Sequence, residues 1–300
     1  MVISFIFRIE FVGQFVFYLE ILFFILFFII LFVEFFNLFV KIKNKTKLVI
    51  IILVGLSYII YGTYNSNQLE INTIKLESNK ITNQIKFVQI SDIHVGSTSS
   101  KYLEKIAREV NEINPDFVVI TGDLIDGINT KGEDLEALKT IKAPQYVIFG
   151  NHEIYAQKDT EFLTSLGLIV LDNTYVDIGE VQLIGTNQYG SNLSSRGSLE
   201  SLGHLLNNIT ISDDKYVILL NHEPLEVETS LSNGVDLMLS GHTHNGQIFP
   251  FNFFVWLRYK YVYGLYEFDD GSLYVSSGTG IWGPHLRVGS KNEIVLFEIS

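Results

Sequence analysis

Phe87-Val88-Gln89-Ile90-Ser91-Asp92-Ile93-His94 is an apolar run that ends on two residues able to bind a metal. A short run rich in Val and Ile, closed by polar residues, reads as a buried strand. Four later stretches repeat the arrangement. Residues 117–121 precede Gly122-Asp123, and 146–149 precede Gly150-Asn151-His152-Glu153. Residues 216–220 precede Asn221-His222-Glu223, and 237–239 precede Gly241-His242-Thr243-His244. Five of the chain's seven histidines lie at these tips, which chance placement explains poorly. Strand tips are where the loops of an α/β sheet build sites.

Asp92, His94, Asp123, Asn151, His222, His242 and His244 are seven candidate ligands, too many for one tetrahedral ion. Two ions about 3.5–4 Å apart and sharing a carboxylate would use them all. Asp123, the lone charged ligand at its tip, is the expected bridge. Glycines at 122, 150 and 241 permit sharp turns and close backbone approach. The chain has no cysteine, so the ions are expected to be Mn, Fe or Zn held by His, Asp and Asn. Such a pair activates water and clamps phosphoryl oxygens, which suits hydrolysis of a phosphate ester and needs no Ser or Cys nucleophile. His152 is the expected catalytic residue, protonating the leaving oxygen or binding a phosphoryl oxygen, with Glu153 orienting it. His204 reads as an ordinary helix residue.

Outward from the motifs, the N-terminus is strongly apolar. Residues 21–33 contain no polar residue, and 11–40 exceed the ~20 residues needed to cross a bilayer. Lys41, Lys43, Lys45 and Lys47 follow, and then a second apolar run over 48–64 with Tyr58, Tyr61 and Tyr64 at its far end. A lysine-rich loop between two spans is expected in the cytoplasm. The chain therefore reads as a multi-pass protein of the cell membrane, with its catalytic domain extracytoplasmic. Arg8 opposes this, one charge against four. The competing reading has one run spanning and the other lying in the interface, which would put the domain in the cytoplasm.

Residues 1–64 are thus expected to form a transmembrane hairpin, 65–68 a linker and 69–300 one globular domain. A lead-in strand near 69–76 and helices over 101–113, 133–140, 161–166 and 199–206 are predicted from apolar spacing. Hairpins are predicted for 170–178 with 181–185 and for 262–268 with 273–276, then a last strand at 294–297. Early βα alternation with late hairpins implies an α/β fold of two packed mixed β-sheets flanked by helices. A net charge of -12 argues against a nucleic-acid partner.

The order Asp-x-His, Gly-Asp, Gly-Asn-His-Glu, His, Gly-His-x-His resembles the signature of the calcineurin-like metallophosphoesterases. The resemblance covers the chain from Phe87 to His244. It implies a β-sandwich flanked by helices. It also implies one metal on Asp92, His94, Asp123 and His244, a second on Asp123, Asn151, His222 and His242, and His152 free of metal. Further on, His242-Thr243-His244-Asn245-Gly246-Gln247-Ile248-Phe249-Pro250, Tyr263-Gly264-Leu265-Tyr266, Ser276-Ser277-Gly278-Thr279-Gly280 and Gly283-Pro284-His285-Leu286-Arg287 resemble a membrane-anchored or exported subgroup. That subgroup includes cell-envelope phosphoesterases and UDP-diacylglucosamine hydrolases. Asn245 departs from its usual Gly, and His285 stands where Pro is common.

Two segments bear on the substrate. Residues 249–263 mix Phe, Trp and Tyr with Arg258 and Lys260, a composition suited to a membrane interface, where they would present a lipid headgroup to the metals. The alternative is that these aromatics are core and sheet residues. Arg287 is expected either to reach a substrate phosphate or to form a surface salt bridge, and Asn245 to narrow or polarise the pocket. The reading is a membrane-anchored, two-metal phosphoesterase acting on phosphate mono- or diesters, including lipid or envelope headgroups. The alternatives are a membrane-tethered metal-binding scaffold without turnover, and a nuclease of the same family.

Overall fold

The computed structural model describes residues 10–187 and 202–300. Helices α1 (Glu10–Asn37) and α2 (Asn44–Ser66) are both long and apolar enough to cross a membrane by length and composition. The turn between them is closed by Asn37, whose Oδ1 accepts from the Ile42 amide at 2.9 Å, and by a Lys47–Glu34 ion pair at 2.7 Å. Most large side chains on both helices are exposed, a distribution that water does not tolerate over such a length. Arg8 lies outside the described residues.

Two six-stranded sheets follow. In chain order the strands are β1 (Leu69–Leu76), β2 (Ile85–Ile90), β3 (Phe117–Ile120), β4 (Gln145–Val147), β5 (Ile169–Val170) and β6 (Thr174–Ile178). Then come β7 (Val181–Gly185), β8 (Tyr216–Leu220), β9 (Leu237–Ser240), β10 (Gly264–Phe268), β11 (Gly271–Val275) and β12 (Asn292–Ile299). The first sheet runs β1-β12-β2-β3-β4-β5 and the second β10-β11-β9-β8-β7-β6. Both are mixed. β2, β3, β4 and β5 are parallel, as are β7, β8, β9 and β11, with antiparallel partners at β12, β6 and β10.

The inner faces meet in a dry layer that includes Phe117, Leu183, Ile218, Leu239 and Phe297. Phe87 stacks at its centre between Phe117 (5.0 Å between centroids) and Phe297 (4.8 Å). Helix α3 (Ser100–Ile113) buries Leu103, Ile106 and Val110 against the outer face of the first sheet. Its boundaries have local causes. The Ser99 side chain accepts from the Tyr102 amide at 3.3 Å, and Asn114, left-handed at φ 53°, ends the helix before Pro115.

The predicted strand over 170–178 is divided in the structure. Val170 pairs with Val147 in the first sheet, whereas Thr174–Ile178 pairs with β7 in the second. Asn173 at φ 51° turns the chain between them. The segment expected as a helix over 133–140 is a 3₁₀ helix, Gly132–Thr140. Of the helix expected over 199–206, the first three residues lie outside the described residues, and Leu202–Asn208 is helical (α6, after α4, Asn151–Tyr155, and α5, Thr160–Ser165). Helices α7 (Val227–Ser232) and α8 (Asn252–Arg258) were not expected, and neither was α4.

Candidate metal centre

β2, β3 and β4 from one sheet and β8 and β9 from the other deliver their C-terminal loops to one place. Asp92, His94, Asp123, His242 and His244 all sit in the left-handed backbone region, at φ between 50° and 69°. For residues other than glycine this stores strain on the order of 1–3 kcal/mol each, which the loops accept in order to aim these side chains inward. Gly241 is required by close approach, because a Cβ there would lie 2.0 Å from Ser91 Oγ and 2.2 Å from Asp92 Oδ2. Gly122, at φ 89°, would bring a Cβ within 2.7 Å of both Gly150 N and His222 Nδ1.

Six of the seven expected ligands converge in two groups. In the first, His94 Nε2 lies 3.1 Å from His244 Nε2, and His244 Nε2 lies 3.5 Å from Asp92 Oδ1. In the second, His222 Nε2 lies 3.1 Å from Asp123 Oδ2 and 3.2 Å from His242 Nδ1. Asp123 Oδ2 is also 3.8 Å from His94 Nε2, so one carboxylate oxygen touches both groups. Asn151 opens helix α4 beside them, and its buried Oδ1 has no hydrogen-bond partner.

Acceptor atoms packed this closely in a buried site are mutually repulsive without a cation, and an orphaned buried amide oxygen is costly. The donor set therefore fits divalent ions. The electrostatics agree. Burial holds His94 at a pKa of about 4 and His242 at about 3, and His244 well below the ordinary range, so these imidazoles are neutral ligands. Burial also lowers the His222 pKa, but the Asp123 charge and hydrogen bond outweigh it and push it up to about 10. A proton on His222 Nε2 thus occupies the place that a cation would take against Asp123. His222 Nδ1 faces the Thr121 carbonyl at 2.7 Å, which directs Nε2 to the site.

His152 stands at the edge of the first group, its ring 4.5 Å from that of His94. Its Nδ1 pairs with Asp126 Oδ1 at 3.0 Å, and its backbone amide donates to Asp123 Oδ1 at 2.8 Å. Burial lowers its pKa, but Asp123 and Asp126 together push it up to about 9. The group that orients His152 is therefore Asp126, which the sequence reading passed over. Asp126 is itself held by Ser97 Oγ. Trp282, also passed over, packs edge-on at 6.2 Å from the His152 ring.

Two expectations need correction. Glu153 does not orient His152. Its fully buried carboxylate accepts from the amides of Gly150 (2.8 Å), Asp123 (3.0 Å) and Ile125 (3.0 Å), tying the β3 loop to the β4 loop. Burial and the Asp123 charge push its pKa up to about 7, with the Gly150 and Ile125 amides pulling it down. Arg287 is likewise fully buried, behind His244. Its Nη2 donates to the carbonyls of Ser277 (2.7 Å) and Gly280 (2.8 Å) and lies 3.3 Å from His244 Nδ1. Its contacts hold the 277–280 loop and the back of the site, so it does not reach out to a substrate. Asn245 is half-buried next to His244, at φ 48°.

A profile of calcineurin-like phosphoesterases matches residues 85–246. An uncharacterised metallophosphoesterase of Campylobacter jejuni is 32% identical over 278 residues, covering 88% of this chain and 71% of that protein. One from Helicobacter pylori is 34% identical over 234 residues, covering 73% and 61%. A transmembrane protein with metallophosphoesterase domain from Danio rerio is 32% identical over 276 residues, covering 84% and 62%. This chain thus spans about two thirds of the length of these relatives. A dimetal phosphatase from Danio rerio aligns with 65% of this chain and 87% of its own at 15% identity and a TM-score of 0.40. With the profile spanning more than half of the sequence and relatives above 30% identity, the chain belongs to the calcineurin-like phosphoesterases, which are metal-dependent phosphoric ester hydrolases.

Proposed function

We propose that this chain is a membrane-anchored dinuclear phosphoesterase, with the hairpin of residues 1–64 as anchor and residues 69–300 as the catalytic domain. The observation that carries the reading is the pair of ligand groups joined at Asp123 Oδ2. Asp92, His94 and His244 would hold one ion with Asp123. Asn151, His222 and His242 would hold the other with the same carboxylate. When bound, two divalent ions (Mn, Fe or Zn) lower the pKa of water and offset charge on the phosphoryl oxygens. His152, kept protonated beside Asp126, gives its proton to the leaving oxygen, and Asp126 holds the ring in place.

The two long apolar helices and the transmembrane relatives support membrane association. The lysine loop supports an extracytoplasmic domain, and the anchor beside the site supports phosphate esters carried by lipid or envelope headgroups. The test uses the full chain in detergent, with and without Asp123→Ala, counting bound metal and assaying nitrophenyl and bis-nitrophenyl phosphates. Two ions and turnover in the parent, both lost in the variant, establish the activity, and the preferred ester sets the class. Two ions without turnover on any ester would leave a binding scaffold. No bound ion would overturn the reading.

A further inference from the structure

Of the aromatic segment after the metal loop, Tyr261 joins the core of the second sheet, whereas Phe249–Leu257 is neither core nor sheet. Phe249–Leu257 contains no charged residue, and Phe253, Phe254, Trp256 and Leu257 are 49–85% exposed. The segment has three faces. Asn252 is buried against Gly246. Phe251 and Phe254 pack on Phe24 of α1 at 6.2 and 6.1 Å. Phe249, Phe253 and Trp256 form a ladder at 5.6 and 5.4 Å and face away from the chain.

The two long helices give the depth of this segment independently. On α1, Trp282 packs on Phe17 at 5.0 Å, at the start of the apolar span Val16–Asn37, while α8 packs on Phe24. Seven residues of helix separate those contacts, about 10 Å. On α2, Asn65 bonds the carbonyls of Arg287 and Ser290, while the Tyr58 hydroxyl bonds that of Phe249. Seven residues again separate them, about 10 Å. Both helices therefore put α8 deeper along the spans than the loops over the metal site. The depth agrees with the ~5–10 Å at which amphipathic helices lie in a bilayer. Arg258 and Lys260 follow the apolar run directly, the order in sequence expected where a chain leaves hydrocarbon for the interface.

The C-terminal cap of α8 is Tyr259, whose hydroxyl lies 2.8 Å from His242 Nε2 and 3.3 Å from Glu223 Oε2. His242 turns Nδ1 toward His222, which leaves Nε2 as the nitrogen that faces the Tyr259 hydroxyl. We propose that α8 is a third membrane element, embedded in hydrocarbon beside the two spans, and that Tyr259 uses it to fix the imidazole of His242. The proposal rests on the membrane-anchored reading above. It makes Tyr259 a positioning residue for the second ion.

The test uses the full chain in lipid nanodiscs whose acyl chains carry bromine. The chain has only two tryptophans, so Trp282→Phe isolates Trp256 and Trp256→Phe isolates Trp282. Trp256 should lose most of its emission to acyl-chain bromine, and Trp282 less. Tyr259→Phe should leave Trp256 quenching unchanged and weaken one of the two ions about 10-fold or more in competition with a chelator. An unquenched Trp256 in a chain that co-elutes with the discs overturns the embedding alone. Two ions of unchanged affinity in Tyr259→Phe overturn its role. A chain that does not enter the discs overturns the membrane reading itself.

Discussion

Removing the Glu153 carboxylate should destabilise the site before it touches the chemistry. In Glu153→Ala, the amides of Gly150, Asp123 and Ile125 lose their acceptor together in a fully buried place. Each unsatisfied donor costs ~1–3 kcal/mol, and partial entry of water brings the sum to about 3–6 kcal/mol. For a chain of this size that corresponds to a fall in Tm on the order of 10 °C. All three freed amides belong to the loops that carry Asp123 and Asn151, so affinity for both ions should fall with Tm. Glu153→Gln should do less harm, because one oxygen at the Oε2 position keeps two of the three bonds. The assay is thermal unfolding of the full chain in detergent, followed by tryptophan emission, with metal counted on the same samples. A variant that keeps its Tm within ~2 °C and keeps both ions, yet loses turnover, would refute this reasoning and return Glu153 to a chemical role.

Asp126→Asn should keep both ions and lower kcat about 10–100-fold with little change in KM, because only the orientation of His152 is lost. The pH dependence follows from Asp126 as well. Burial raises its pKa, but the His152 hydrogen bond and nearby imidazole charges hold it below the ordinary carboxylate range. A lowered folded pKa gives stability that is present above the unfolded value, near 4, and lost as pH falls through the folded one. Acid unfolding of the parent should therefore show a loss of stability below pH ~4 that Asp126→Asn lacks. For topology, the absence of cysteine allows single substitutions. Thr46→Cys should label only from the cytoplasmic side and Asn83→Cys only from the outside, and the reverse pattern would invert the orientation.

The strands and ligand tips were legible because each is local. An apolar run followed by Asp-x-His or Gly-His-x-His states both the strand and what its end carries. The roles of Asp126, Tyr259 and Trp282 were not legible, since each depends on a partner 17 to 130 positions away brought close by the sheets. Arg287 was misread because an arginine after Gly-Pro ordinarily lies in solvent. Nothing local shows that four backbone carbonyls, those of His244, Ser277, Gly280 and Lys291, surround its guanidinium. Glu153 was misread because its neighbour in sequence, His152, is not its neighbour across the site. The divided strand at 170–178 shows the same limit: a continuous β pattern does not say which sheet each half will join.

Both proposed ion sites draw on both sheets. The first sheet supplies Asp92, His94, Asp123 and Asn151, and the second His222, His242 and His244. No shorter nascent segment holds either full set before residues 242–244 have been made, long after the anchor has left the ribosome. Loading therefore waits until the domain is folded on whichever side of the membrane it has reached. Imidazole and carboxylate donors alone choose poorly among Mn, Fe and Zn. The supply in that compartment makes the choice, so four lysines in and just after the turn between the two long helices, far from the chemistry, would help decide which metal the enzyme uses.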